Sequence, residues 1–172
     1  RERWMGHLPE VAAPGEGLRH LADDTGQHGG AATLLVEKTG MLGGTITSGG
    51  VNAPALFHAW GRQVIAGIGW ELVVACKDIT GEALPDCRDR AARHHIHVDR
   101  AIFAALCDQA VVDSGAELLL HAMPAAVERA GDGWRVQVCT KTGLQSARAR
   151  VLIDASGDAN AVRLAGFETV RP

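Results

Sequence analysis

T-L-L-V-E-K-T-G-M-L-G-G-T-I-T-S-G-G-V, residues 33–51, decides how the rest of this chain is read. Thr33 to Val36 are four apolar or β-branched residues, a short strand that ends on an acid, Glu37. An unpaired carboxylate at the tip of a buried strand is expensive, so Glu37 needs a partner. In nucleotide-binding α/β folds that partner is a ribose, whose two hydroxyls donate to the acid. Gly40, Gly43, Gly44, Gly49 and Gly50 follow, with Thr39, Thr45, Thr47 and Ser48 between them. Glycine lets a backbone approach a ligand closely, and N–H and hydroxyl groups serve phosphate or ring oxygens. A strand, an acid and a glycine-rich turn also occur in proteins that bind no nucleotide. Residues 33–51 alone leave that plainer reading open.

Around this stretch the composition is that of a globular chain. A length of 172 residues allows one domain with a substantial core. Hydrophobic residues make up 47% and charged residues 22%, which sets the chain apart from disordered sequences. The formal charge of −3 leaves no basic stripe for nucleic acid or acidic lipid. No apolar run approaches the roughly 20 residues that span a bilayer. The opening R-E-R-W-M-G-H-L-P is charged and lacks an apolar signal segment. The expectation is a cytoplasmic protein with neither a nucleic-acid nor a membrane partner. The first residue is Arg1 rather than Met, which points to a start further upstream. Cysteines at 76, 87, 107 and 139 form no C-x-x-C pair, so reduced thiols are expected rather than a disulfide framework or a zinc site.

The opening thirty residues do not follow the usual pattern. A dinucleotide-binding domain starts with a buried strand running into a glycine-rich turn and a helix. Here H-L-P-E-V-A-A-P-G-E-G-L-R-H places Gly15 and Gly17 at the first two glycine positions and His20 at the third. Pro9 and Pro14 bracket only Val11, Ala12 and Ala13, a poor central strand because each proline removes a ladder donor. Gly26, Gly29 and Gly30 cut short the helix that should follow. Residues 1–32 therefore read as an eroded or replaced first βα unit, and 33–172 as a partial nucleotide-binding domain.

Further along, Leu56, Trp60, Val64 and Ile68 fall at helical spacing, so residues 53–77 are expected to be helical, kinked or divided by Gly61, Gly67 and Gly69. V-D-R-A-I-F-A-A-L-C-D-Q-A-V-V-D-S-G predicts a second helix, capped by Asp99 and ended by Gly115. Its apolar face is read as Ile102, Ala105, Leu106, Ala110 and Val111. Three β segments then follow, joined at Asp132-Gly133 and Thr142-Gly143, which predicts an antiparallel meander. Val151 to Ile153 reads as a buried parallel strand, finishing in the turn D-A-S-G-D.

L-L-V-E-K-T-G-M-L-G-G-T resembles the second strand and following loop of the FAD-dependent oxidoreductases related to glutathione reductase and fumarate reductase. V-L-I-D-A-S-G-D is similar to the A-T-G-D-like turn that follows the meander in the same families, with Ser156 where threonine is commoner. The resemblance runs from about residue 33 to 168. It implies an α/β, Rossmann-like FAD-binding domain in which a parallel sheet flanked by helices carries a small meander. It also implies Glu37 for the adenosine ribose, Lys38 near the adenosine end, and Gly43, Gly44 and Thr45 along the flavin side. The backbone near Pro124 or Ala125 would touch the adenine, and Gly157 and Asp158 would close on the dinucleotide near its pyrophosphate. The plainer reading of the last turn is a strand-to-helix junction with Asp158 as N-cap. Counted back from Glu37, Gly15 stands about where the family's fingerprint begins. Its spacing survives, and its third residue does not.

Other constellations point elsewhere. On an extended segment His95 and His97 share one face while His94 points the other way, so the trio reads as solvated or packing histidines rather than a metal set. No elbow-type serine motif supports a Ser-His-Asp hydrolase. Trp4, Trp60, Trp70 and Trp134 read as packing residues. The function expected is the FAD-binding portion of a flavin-dependent oxidoreductase acting on a small-molecule substrate, with the flavin carrying the redox chemistry. Because His20 brings bulk where helix and strand should pack closely, FAD is expected to bind weakly or not at all. The alternative is a truncated or decayed flavoprotein segment without activity, serving at most as an interaction module. A NAD(P)-binding domain is disfavoured by the loop after the acid.

Overall fold

The chain order begins with β1 (Glu10–Val11) and β2 (Thr33–Val36), which pair in parallel, Glu10 opposite Thr33 and Val11 opposite Leu34. The computed structural model describes residues 10–11, 31–54, 56–86 and 95–170. Two strand residues therefore stand in the place of a first strand, between the two prolines that argued against one. Gly15, Gly17 and His20 lie outside the described residues. Thr33, Leu34 and Leu35 are buried in succession, as in a strand covered on both faces.

By its internal packing the chain divides into two units, Arg1–Gly40 with Val112–Pro172, and Met41–Val111. The second unit opens with the glycine loop and continues into a short hairpin, β3 (His58–Ala59) and β4 (Arg62–Gln63). This corrects the helix expected over 53–77. The two loop residues, Trp60 and Gly61, have φ of 55° and 77°, and a two-residue loop of two positive-φ residues matches the twist of a hairpin. The helix begins only after Gly67, as α1 (Ile68–Thr80). Phe57 and Trp70 stack with ring centroids 5.2 Å apart, and the His58 ring meets Trp70 edge-on at 4.9 Å. Gly81, at φ 69°, closes α1 in the left-handed conformation that glycine adopts without penalty. The Lys77 ammonium, almost wholly buried, pairs with Glu82 Oε2 at 2.7 Å beyond that cap.

α2 (Arg100–Asp113) starts as expected: Asp99 Oδ1 accepts from the N–H groups of Ala101 (2.9 Å) and Ile102 (3.0 Å). It ends at Gly115, φ 74°. Its buried row is Phe103, Cys107 and Val111, a spacing of four, while Ala105 is exposed. The expected face is thus rotated toward the aromatic ring, which has the most apolar area to bury.

In the first unit, β5 (Glu117–Leu119) lies parallel to β2 on the side away from β1, giving the order β1-β2-β5. The meander follows: β6 (Met123–Ala130), β7 (Gly133–Thr140) and β8 (Gly143–Ala149), antiparallel throughout. Its tight loops are residues 131–132 and 141–142, with the glycines at 133 and 143 opening the next strands. Val127, Val136 and Val138 form its buried side, with Ala122. Val36, Leu119 and Leu152 pack against both this cluster and the Leu34–Ala149 pair, so one apolar layer joins meander and parallel sheet.

Residues 151–153 correct a second expectation. Only Leu152 makes a bridge, and Val151 and Ile153 are 49% and 51% exposed. Alternation, not continuous burial, is the pattern of this run. α3 (Asn160–Leu164) closes the described chain.

Candidate functional site

At the carboxyl end of β2 the chain is held by backbone hydrogen bonds to its neighbour. Glu37 N–H donates to Leu119 O (2.9 Å), Ala122 N–H to Glu37 O (3.0 Å) and His121 N–H to Thr39 O (3.0 Å). The half-buried Glu37 carboxylate accepts from Thr39 N–H at 2.6 Å through Oε1. Glu37 thus stands at the carboxyl end of a parallel strand, the end outside which ligands bind in open α/β sheets. Lys38 Nζ lies 3.9 Å from Asp158 Oδ2, both side chains exposed. Glu37, Lys38, Gly157 and Asp158 therefore share one end of the first unit. A pair this exposed adds little to stability, so its interest is positional.

The D-A-S-G-D turn is built on a residue that the expectation passed over. Asp154 accepts from Ser156 N–H at 2.8 Å and from Val162 N–H, inside α3, at 2.9 Å. Ser156 Oγ accepts from the N–H groups of Asn160 (3.0 Å) and Asp158 (3.3 Å). Asp158 makes no cap; the residue before α3 is Ala159, at φ 53°, with no side-chain cap bond. Burial alone would raise the Asp154 pKa, but hydrogen bonds from the backbone of Val162 and Ser156, the Ser156 hydroxyl and the Ala161 backbone outweigh it and hold the carboxyl below its ordinary range. An Asp two residues before a Ser is a local turn signal that sequence does carry.

Ala125 sits where the β6–β7 register shifts between Pro124 and Ala126. A bulge leaves its extra residue outside the ladder, so backbone groups there are available to a ligand. In the second unit, Gly43 and Gly44 take φ of 98° and 48°. A Cβ on Gly43 would lie 2.5 Å from the Thr47 methyl, while nothing lies within 4 Å of one on Gly44. The loop closes on itself: Ile46 N–H to Gly43 O (3.1 Å), Gly49 N–H to Gly44 O (2.9 Å), Val51 N–H to Thr45 O (2.9 Å). Asn52 and Val98 exchange two hydrogen bonds, Val98 N–H to Asn52 O (2.9 Å) and Asn52 Nδ2 to Val98 O (3.1 Å). A Cβ on Gly50 would lie 3.5 Å from Arg100 Nη1, which puts a cation beside the loop. Sequence reading passed over Arg100 because it follows the cap residue Asp99 and looks like any first-turn residue.

Among the described residues no group of three or more His, Cys, Asp or Glu side chains is placed to hold a metal. His95 and His97 are exposed on either side of buried Ile96; His94 lies outside the described residues. Burial pushes the Cys107 thiol up to about 11, with the neighbouring Asp108 charge adding to it, and burial raises Cys76 as well. Thiols so shifted are poor nucleophiles at neutral pH. Among the described residues no helix is long and apolar enough to cross a membrane.

Taken separately, the first unit carries an acid at the tip of a parallel strand, and the second a glycine loop with positive-φ peptides and a neighbouring cation, a combination that can serve anionic oxygens. Comparison with known proteins points the same way. The sequence pattern of the FAD dependent oxidoreductase family matches residues 25–171, well over half of the chain. No curated protein matches the sequence. Among solved structures the fold is similar to CabE, an aromatic hydroxylase from angucycline biosynthesis, at 17% identity and TM-score 0.54, over 94% of this chain and 34% of that one. It is similar to a geranylgeranyl bacteriochlorophyll reductase-like protein of Thermoplasma acidophilum at 15% identity and TM-score 0.57, over 94% and 43%. It is also similar to THI4 of Thermovibrio ammonificans at 15% identity and TM-score 0.55, over 97% and 67%. The chain thus spans about a third of the length of the first of these, and identities this low speak for the fold alone.

Proposed function

The chain belongs to the FAD dependent oxidoreductase family, and from that premise we propose that it forms the FAD-binding portion of a flavin-dependent oxidoreductase acting on a small-molecule substrate. When bound, FAD supplies the electron transfer; the protein holds and orients it and tunes its electronics. One observation carries the reading: an acid at the carboxyl tip of the central strand of a parallel sheet, directly before a loop with two consecutive positive-φ glycines. The proposal treats residues 33–172 as a single FAD-binding domain and residues 1–32 as its altered first unit. Glu37 accepts the adenosine ribose hydroxyls, and Lys38 stands at the adenosine end. The backbone at the Ala125 bulge meets the adenine. Gly157 and Asp158 lie toward the pyrophosphate. Gly43, Gly44 and Thr45 line the flavin side, and Arg100 offsets negative charge beside Gly50. The unpaired thiols of Cys76, Cys107 and Cys139 support a cytoplasmic location.

On this reading, with His20 in the third fingerprint position, losing two or three phosphate hydrogen bonds would remove about 1.5–3 kcal/mol each. Affinity then falls by on the order of a thousandfold. Titration of FAD followed by flavin fluorescence should give saturable, reversible binding that does not survive desalting, with NAD binding more weakly. Absence of any saturable response would overturn the reading. A stoichiometric flavin band after desalting would show that residues 15–20 form a working phosphate cradle.

A further inference from the structure

Gly40 and His121 meet where the chain leaves the tips of β2 and β5. A Cβ on Gly40 would lie 2.7 Å from His121 Cε1 and 2.9 Å from Nε2, so the imidazole occupies the space that glycine leaves by having no side chain. His121 stands at φ 53°, a conformation that few residues other than glycine adopt. Its own N–H holds Thr39 O at 3.0 Å. Thr39 N–H in turn holds Glu37 Oε1 at 2.6 Å.

We propose that His121 is a positioning residue for the nucleotide acid: seated on Gly40, it fixes the Thr39–Gly40 peptide and with it the orientation of Thr39, whose own N–H, on the preceding Lys38–Thr39 peptide, holds the Glu37 carboxylate. The inference rests on the assignment of Glu37 to the ribose made above. Pinning Oε1 sets the plane in which the carboxylate presents its other oxygen, so a ribose meets an acceptor that is already oriented and loses less freedom on binding. The ring contributes through packing, and the N–H of the same residue ties the crossing from the other side. Both contacts depend on the left-handed backbone at 121, which turns the chain from β5 into the meander while facing the imidazole back toward β2.

The test separates the ring from the backbone. His121→Asn keeps the N–H and tolerates positive φ, deleting only the imidazole; His121→Gly does the same with a still more permissive backbone. Amide exchange at Thr39, with Val136 in β7 as reference, is measured alongside FAD affinity for wild type, His121→Asn, His121→Gly, Glu37→Gln and the Glu37→Gln/His121→Asn pair. Both ring deletions should speed Thr39 exchange about tenfold with Val136 unchanged, and weaken FAD binding about five- to tenfold, a coupling typical of residues in contact. In the double variant the His121 change should add nothing to the loss from Glu37→Gln, because it acts through that carboxylate. Unchanged Thr39 exchange, or a loss that adds in full to that of Glu37→Gln, would overturn the proposal. If the nucleotide reading itself were wrong, no variant would show saturable FAD binding, while Thr39 exchange would still respond to the ring.

Discussion

The crossing after β2 and the turn before α3 stand at the same end of the first unit, close enough for Lys38 and Asp158 to pair. They are secured by different means. Residues 37–40 are tied by main-chain hydrogen bonds to Leu119, His121 and Ala122, with the Glu37 side chain an accessory to them. Residues 154–158 hang on two side chains, Asp154 and Ser156, which gather four N–H groups between them. A crossing braced by backbone can give its acid over to a ligand without loosening. A turn braced by a carboxylate has that carboxylate committed to the fold.

The sharpest way to break this contrast is Glu37→Ala. It should weaken FAD binding ten- to a hundredfold, equivalent to about 1.5–3 kcal/mol for a charge-assisted contact. Thermal stability without FAD should shift by less than about 0.5 kcal/mol. Equal affinities, read by calorimetry, would remove Glu37 from the site; a large stability loss would show that the acid braces the crossing after all. Asp154→Ala should do the reverse. Loss of two N–H contacts in a partly exposed position should destabilise the protein by about 1–2 kcal/mol. Faster amide exchange at Ser156 and Val162, the two N–H groups that the carboxylate holds, should accompany it.

The same carboxylate sharpens the comparison through pH. Its folded-state pKa lies below its unfolded value, so its contribution is fully present above about pH 4 and is lost as pH falls through the folded pKa. Denaturant titrations from pH 6 down to pH 3 should show wild type converging on Asp154→Asn as the acid limit is approached. Parallel curves would mean that Asp154 is not held in its ionised form. The smallest effect is expected at Ala159, whose φ of 53° is strained for alanine. Ala159→Gly should stabilise by about 0.5–1 kcal/mol, and a loss in chemical denaturation would show that the methyl group packs there.

What sequence disclosed follows from how local each signal is. β2 with its terminal acid, the Asp99 cap, the Gly115 stop and the meander are all written within a few neighbouring residues, and each stands where expected. The β3–β4 hairpin was hidden because Leu56, Trp60, Val64 and Ile68 keep helical spacing across it. Nothing in that period reveals that Trp60 adopts a left-handed backbone, leaving the residue 76% exposed. Val151 and Ile153 misled in the opposite way: three apolar residues in a row describe a preference, and burial is set by what lies beside them. In the candidate site, Lys38 and Asp158 come from two motifs far apart in the sequence, and the fold brings them to one end of the first unit. The packing of His121 on Gly40 was not legible, since the two are distant in the chain and no local pattern links them.

The register shift at Pro124–Ala126 has a consequence for how this surface tolerates mutation. Recognition through main-chain atoms is blind to the letter encoded at that codon, so an exposed residue such as Ala125 is released from any side-chain requirement that a ligand would impose. Pro124 beside it has no N–H to offer, which leaves the bulge itself as the source of free peptide groups. Under the proposed adenine contact, substitutions at position 125 leave the presented geometry the same, and the trace of that contact is a kink in the strand rather than a signature in the sequence.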